Sequence, residues 1–156
     1  MAKRIRFKIG DLFLVPLEDN LKGVGRVLII DQATVFIELY CIKPISDICE
    51  FNYEEAIKEK PIVMHWCYDD GLIKGEWQII DNKPIEGEIE IPYFWTQDAG
   101  DKKYYIRKGT NNSYETFGDR IEISKDDIYK YEPYGIGNQI SERNRYIRKL
   151  REAGLM

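Results

Sequence analysis

Few residues of this 156-residue chain are of a type and spacing that could do chemistry. His65 is the single histidine, and Cys67 follows it by two positions. Residues two apart share one face of a strand, so a thiol and an imidazole could meet there. A nucleophile–base pair also needs a third group to orient the imidazole, and none is near in sequence. Both residues sit in the most apolar run of the chain, so His65 is read as a core histidine. Asp69-Asp70 and Asp126-Asp127 are the carboxylate doublets a hard cation would call for. Each stands at a turn or a helix start, where Asp bonds backbone N–H groups, and the spacing of an EF-hand is missing. Gly23-Val24-Gly25 lacks the further glycine and the Lys-Ser/Thr of a phosphate loop. No Gly-x-Ser-x-Gly occurs. Cys41, Cys49 and Cys67 are odd in number and form no Cys-x-x-Cys pair, which points to buried thiols in a reducing compartment. The expectation is therefore no catalytic residue, no cofactor-binding residue and no metal ligand.

Charge is the stronger signal. The formal net charge is −4, but it is unevenly spread. Between Ser46 and Asp101 there are fourteen Asp or Glu against only Lys58, Lys60, Lys74 and Lys83, a local net of −10, so the rest of the chain carries +6. An acidic block of this kind is either a solvated face or a surface complementary to something basic. Within it, Glu86, Glu88 and Glu90 alternate with apolar or glycine positions, and Tyr93-Phe94-Trp95 puts three aromatics in a row before Asp98. Those acids, with Tyr93, Trp95 and the nearby Asp69 and Asp70, are the candidate partner-binding residues. Trp66 and Trp77 read as core. For Trp95, on a stretch between Pro92 and Gly100, core and interface both stand.

The elements that must position these residues are mostly strands. Leu12–Leu17, Val24–Ile30 and Val35–Tyr40 are β-branched and aromatic runs joined by short polar links, which predicts an antiparallel meander. Pro16 has no N–H for a ladder and suggests an edge or a bulge. Phe51 to Lys60 contains good helix formers and stops before Pro61. Pro61–Tyr68 is apolar on both faces and predicts a central, covered strand. Glu76–Ile80 and Lys103–Lys108 are further strands; Lys83 to Gly100 has no regular pattern, and Gly109 to Ser113 reads as a loop tip. Ser124 to Tyr131 suggests a short helix capped by Ser124. Gln139 to Ala153 predicts a terminal helix with Ile140, Ile147 and Leu150 as its apolar stripe. The whole is expected to be one α+β domain, residues 1–156, with a bent, mostly antiparallel, SH3-like barrel sheet and Trp77, Ile37, Val27 and Met64 in its core. A composition of 44% hydrophobic and 32% charged residues suits a globular protein and not a disordered one. The basic stretch Met1 to Gly10 is followed by no long apolar run, so a cytoplasmic protein is expected.

The opening Lys8-Ile9-Gly10-Asp11-Leu12-Phe13-Leu14-Val15-Pro16-Leu17, with Gly23-Val24-Gly25-Arg26-Val27-Leu28, resembles the start of immunity protein family 26 of bacterial polymorphic toxin systems. The resemblance continues through His65-Trp66-Cys67-Tyr68-Asp69-Asp70, Gly75-Glu76-Trp77-Gln78-Ile79-Ile80 with Pro84, Pro92-Tyr93-Phe94 and Tyr104-Tyr105-Ile106. From Ile121 onward the match is loose. The resemblance implies a non-enzymatic antitoxin that binds and hides a toxin domain, such as a nuclease whose basic substrate cleft an acidic surface could enter. Two other readings stand beside it. One is a nucleic-acid-binding module using Lys3, Arg4, Arg6 and Lys8 with Arg143, Arg145, Arg148, Lys149 and Arg151. The other is a small hydrolase with unrecognised carboxylates.

Overall fold

The computed structural model describes residues 3–108 and 120–156. The loop tip expected at Gly109 to Ser113 lies outside them. The chain gathers into two compact units, Met1–Gly87 with Gly137–Met156, and Glu88–Ile136.

The first unit is a five-stranded antiparallel sheet with helices on both faces. Its strands are β1 (Asp11–Pro16), β2 (Lys22–Asp31), β3 (Thr34–Leu39), β4 (Val63–Tyr68) and β5 (Ile79–Asn82), in the order β4-β3-β2-β1-β5. The meander forms because the links are short. Gln32 and Ala33 alone join β2 to β3, with Gln32 in the left-handed region at φ 58°, and the Thr34 hydroxyl donates to the Asp31 carbonyl at 2.8 Å. Pro16 does not mark an edge strand. β1 lies between β2 and β5, and β5 pairs only with Asp11, Leu12 and Phe13, so Pro16 extends past its reach. The ladder irregularity on that side falls between Leu12 and Phe13 instead.

Strand β4 is apolar on both faces as the sequence suggested, but it is the edge of the sheet, not its centre. Its outer rim is closed by Gly137: the Gly137 N–H donates to Trp66 O and the Tyr68 N–H donates to Gly137 O, both at 2.9 Å. One pair of bonds from a returning loop thus does what a sixth strand would do for an exposed edge.

Helix α3 (Gln139–Glu152) packs Tyr146, Ile147 and Leu150 on the face made by Phe13, Val15, Val27, Val35, Ile37, Val63 and Cys67. Ile140, expected in its apolar stripe, is 65% exposed. The opposite face, built from Leu12, Leu14, Val24 and Tyr40, is covered by Ile45 and by Ala56 of α1 (Tyr53–Ala56). The helix expected from Phe51 to Lys60 is therefore a single turn. Asn52 caps its start by accepting from Glu55 N, and a 3₁₀ turn at Ile48–Glu50 precedes it. Only Ala56 of that turn is buried, too little apolar area to hold a longer helix in place. Asp70–Ile73 forms a second one-turn helix, α2, which buries Leu72. Of the four predicted core residues, Trp77, Ile37 and Val27 are buried, while Met64 is half-buried. Trp77 precedes β5 and stacks on Phe13, ring centroids 5.0 Å apart and planes 5° from parallel.

The second unit is a four-stranded sheet of β6 (Phe94–Gln97), β7 (Tyr104–Arg107), β8 (Ile121–Ile123) and β9 (Glu132–Pro133), ordered β8-β7-β6-β9, with β6 and β9 parallel. Strand β7 is the one the sequence suggested. Strand β6 runs through the stretch read as patternless, and β8 and β9 are too short to leave a periodic signal. The helix at Lys125–Lys130 is 3₁₀, and Ser124 caps it, accepting from Asp126 N at 3.2 Å. The protein is α+β, and both sheets are open among the described residues.

Removing the stacked indole opens a cavity against Phe13. The variant Trp77→Ala is expected to lose about 3–5 kcal/mol of unfolding free energy in urea titration; a loss under about 1 kcal/mol would contradict the packing described.

Candidate interaction surface

The one thiol–imidazole pair in the sequence is built into the core. His65 is 2% exposed, and its Nδ1 shares a hydrogen bond of 2.7 Å with Glu142 Oε1, a side chain with no exposed surface. Arg145 Nη1 donates to the same oxygen at 2.5 Å and stands 3.1 Å from Nδ1. A buried carboxylate is tolerable only when paired in this way. Space for it comes from Gly137, where a Cβ would lie 2.1 Å from Glu142 Oε1. Of the three thiols expected to be buried, only Cys67, on the same strand face, is fully so; Cys41 is half-buried and Cys49, in the 3₁₀ turn, is exposed. Burial first, and then the charge of Glu142, push the Cys67 thiol well above the ordinary range, so it is a poor nucleophile at neutral pH. The His65–Glu142–Arg145 cluster joins β4 to α3. The sequence does hold a signal for it: Glu142, Tyr146 and Leu150 recur every four residues, a charge on the buried stripe of an otherwise apolar helix face.

The candidate partner-binding residues fall in both units. In the first, Asp69 is only 6% exposed. Burial raises its carboxyl, opposed by Arg4, whose guanidinium lies 3.9 Å away. Asp70 begins α2, and its Oδ1 is buried without a hydrogen-bond partner. Glu86 is exposed. In the second, Glu88 and Glu90 are exposed, and none of the three glutamates has a hydrogen bond or ion pair among the described residues. Tyr93 is 37% exposed, with the Lys108 ammonium 4.9 Å above its ring centre. Phe94 is the buried member of the aromatic triplet. Trp95 is half-buried and packs at 6.1 Å against Tyr104.

Asp98 works within the chain. It accepts from the N–H groups of Gly100 (2.7 Å) and Asp101 (3.1 Å) and from Arg120 Nη1 (2.7 Å), closing the turn between β6 and β7. These donors, Arg120 foremost, hold its carboxyl down at about 2. The Arg120 guanidinium also lies 3.8 Å over the Tyr105 ring, whose hydroxyl donates to Asp101 at 2.6 Å.

The basic terminal helix is largely engaged with its own chain. Arg143 donates to the carbonyls of Pro16 (3.0 Å) and Leu17 (3.3 Å), Arg145 joins the buried cluster, and Arg151 pairs with Glu18. No group of His, Cys, Asp or Glu among the described residues is placed to hold a metal ion, and no helix there is long and apolar enough to cross a membrane.

Two outcomes follow. Glu142→Ala leaves His65 and Arg145 buried beside an empty site and is expected to cost about 3–5 kcal/mol, measured by denaturant unfolding. For Asp98, a carboxyl lower in the folded chain than its ordinary 3.8 contributes stability that is present above that value and is lost as pH falls towards 2. In Arg120→Gln the Asp98 titration, followed by carboxyl carbon chemical shift, should move up towards 3.8; an unmoved midpoint would remove Arg120 as the cause.

Residues 8–106 match the family described as Immunity protein 26, a span covering β1 to β7 and ending before α3. Neither the curated proteins nor the solved structures compared give a match. The matched span is well over half of the chain: this protein belongs to the Immunity protein 26 family.

Proposed function

We propose that this protein acts in the bacterial cytoplasm as the antitoxin of a polymorphic toxin system, neutralising a cognate toxin domain by binding it rather than by catalysis. Family membership carries the reading: an immunity protein is an inhibitor that binds a toxin. The contact is assigned to the acidic, aromatic segment holding Glu86, Glu88, Glu90, Tyr93 and Trp95, with Asp69, Asp70 and Asp98 as further acids of the same charge. What supports this choice is that Glu86, Glu88 and Glu90 are exposed and have no partner among the described residues, so their charge is available to a basic protein. The toxin is then a protein with a basic surface, as the substrate cleft of a nuclease is. Exposed acids of this kind accelerate encounter, while a central aromatic governs how long the complex lasts. The engagement of Arg143, Arg145 and Arg151 within the chain leaves less charge on the terminal helix for a nucleic-acid backbone.

The test is association kinetics with the cognate toxin domain. Glu88→Lys with Glu90→Lys should slow association about tenfold at low salt and less at physiological salt, because steering is screened over about 8–10 Å. Trp95→Ala should act chiefly on dissociation. Association unchanged at both salts would place the toxin on another surface.

A further inference from the structure

The first unit holds a second feature, which shares only Glu86 with the acidic segment. An open cleft of about 440 Å³ is lined by Tyr53, Glu54 and Ile57 from α1 and its end, by Lys83, Pro84 and Glu86 after β5, and by Arg26 of β2. That volume lies within the range of about 300–1,000 Å³ usual for ligand pockets. An adjoining groove of about 350 Å³ shares Tyr53, Glu54 and Lys83 with it and adds Ile48, Phe51 and Ile80. Ile57 and Ile48 are 44% and 46% exposed, so the two recesses together offer apolar surface to solvent.

The charges in the cleft are not balanced. Arg26 is satisfied within the chain: its Nε donates to Glu38 Oε1 (2.9 Å), and its Nη1 donates to the Tyr53 hydroxyl (2.9 Å) and the Lys83 carbonyl (3.2 Å). Glu38 in turn accepts from the Tyr40 hydroxyl at 2.8 Å. Lys83 lies 5.2 Å from the Tyr53 ring centre and 3.9 Å from Asp81. Glu54 and Glu86 remain, exposed and with no hydrogen bond or ion pair among the described residues. A recess with a neutralised floor, apolar walls and two free carboxylates is complementary to a cation on an apolar stem. A guanidinium fits that description best, because it is weakly hydrated and donates in a plane to carboxylates.

We propose that this cleft is a docking site for an arginine side chain of a protein partner, with the adjoining groove taking an apolar residue beside it. The partner's identity as a toxin rests on the reading above, whereas the chemistry of the cleft does not. The first experiment titrates N-acetyl-arginine N-methylamide, and its neutral citrulline counterpart, into the ¹⁵N-labelled full chain. The arginine probe should move the amide resonances of Tyr53, Glu54, Ile57 and Glu86, and the citrulline probe should bind at least fivefold more weakly. Glu54→Gln with Glu86→Gln should weaken the arginine probe by a similar factor. Equal binding of both probes, or shifts scattered over other residues, would overturn the proposal. The second experiment measures affinity for the cognate toxin domain. Ile57→Lys and Glu54→Lys should each weaken it at least tenfold with the fold intact. If these variants bind as the unmodified chain does, the cleft is not the docking site although the toxin reading stands. If the unmodified chain binds no toxin, that reading fails, and the arginine titration still decides the cleft.

Discussion

The first unit depends on the seating of one helix. Tyr146 of α3 enters the sheet where Gly23 leaves room: a Cβ there would lie 2.2 Å from the phenol ring. Its hydroxyl donates to the Tyr40 carbonyl at 2.6 Å and accepts from the Val24 N–H at 3.3 Å. A buried hydroxyl without such partners would be costly, so the helix has one register in which both its ring and its polar atom are accommodated. One turn earlier, Glu142 repeats the device with Gly137 as the residue that makes room and His65 and Arg145 as the partners. Apolar burial of Ile147 and Leu150 supplies much of the attraction, being non-directional, while the two polar anchors select the position.

The same seating protects the sheet. The Gly137 that admits Glu142 is the residue that bonds to Trp66 and Tyr68 on the rim of β4. A long apolar edge strand is otherwise an invitation to pair with another chain. Helix packing, the buried ion cluster and edge protection thus meet within residues 137–146, outside the span that matches the family.

Charge is partitioned by the fold as well as by the sequence. Several basic groups are drawn into internal contacts: Arg26 with Glu38, Arg145 with Glu142, Arg120 with Asp98, Arg151 with Glu18. Glu54, Glu86, Glu88 and Glu90 have no partner among the described residues. The one-to-one pairs leave the net charge unchanged, and the exposed glutamates make the stretch from Glu86 to Glu90 locally negative, which favours encounter with a basic partner.

From the sequence alone, the strands of the first unit were legible because β-branched runs bounded by turn residues admit few other states; β1, β2 and β3 lie within a residue or two of where the pattern put them. The terminal helix, its length and the burial of Trp77 were equally readable from local pattern. The free acids at Glu86, Glu88 and Glu90 were visible as composition. Tertiary structure alone decided the rest, because each feature depends on residues far apart in the chain. Strand β4 became an edge whose rim Gly137 covers, Ile140 turned outward, and Glu142 was buried because His65 faces it from 77 positions away. Asp98 looked like one more surface acid until Arg120 and two backbone donors were brought to it. The cleft around Tyr53 and Glu86 follows from the pairing of β1 with β5, which no periodicity encodes, since a sheet neighbour contributed by a distant segment leaves no trace in the local spacing of either.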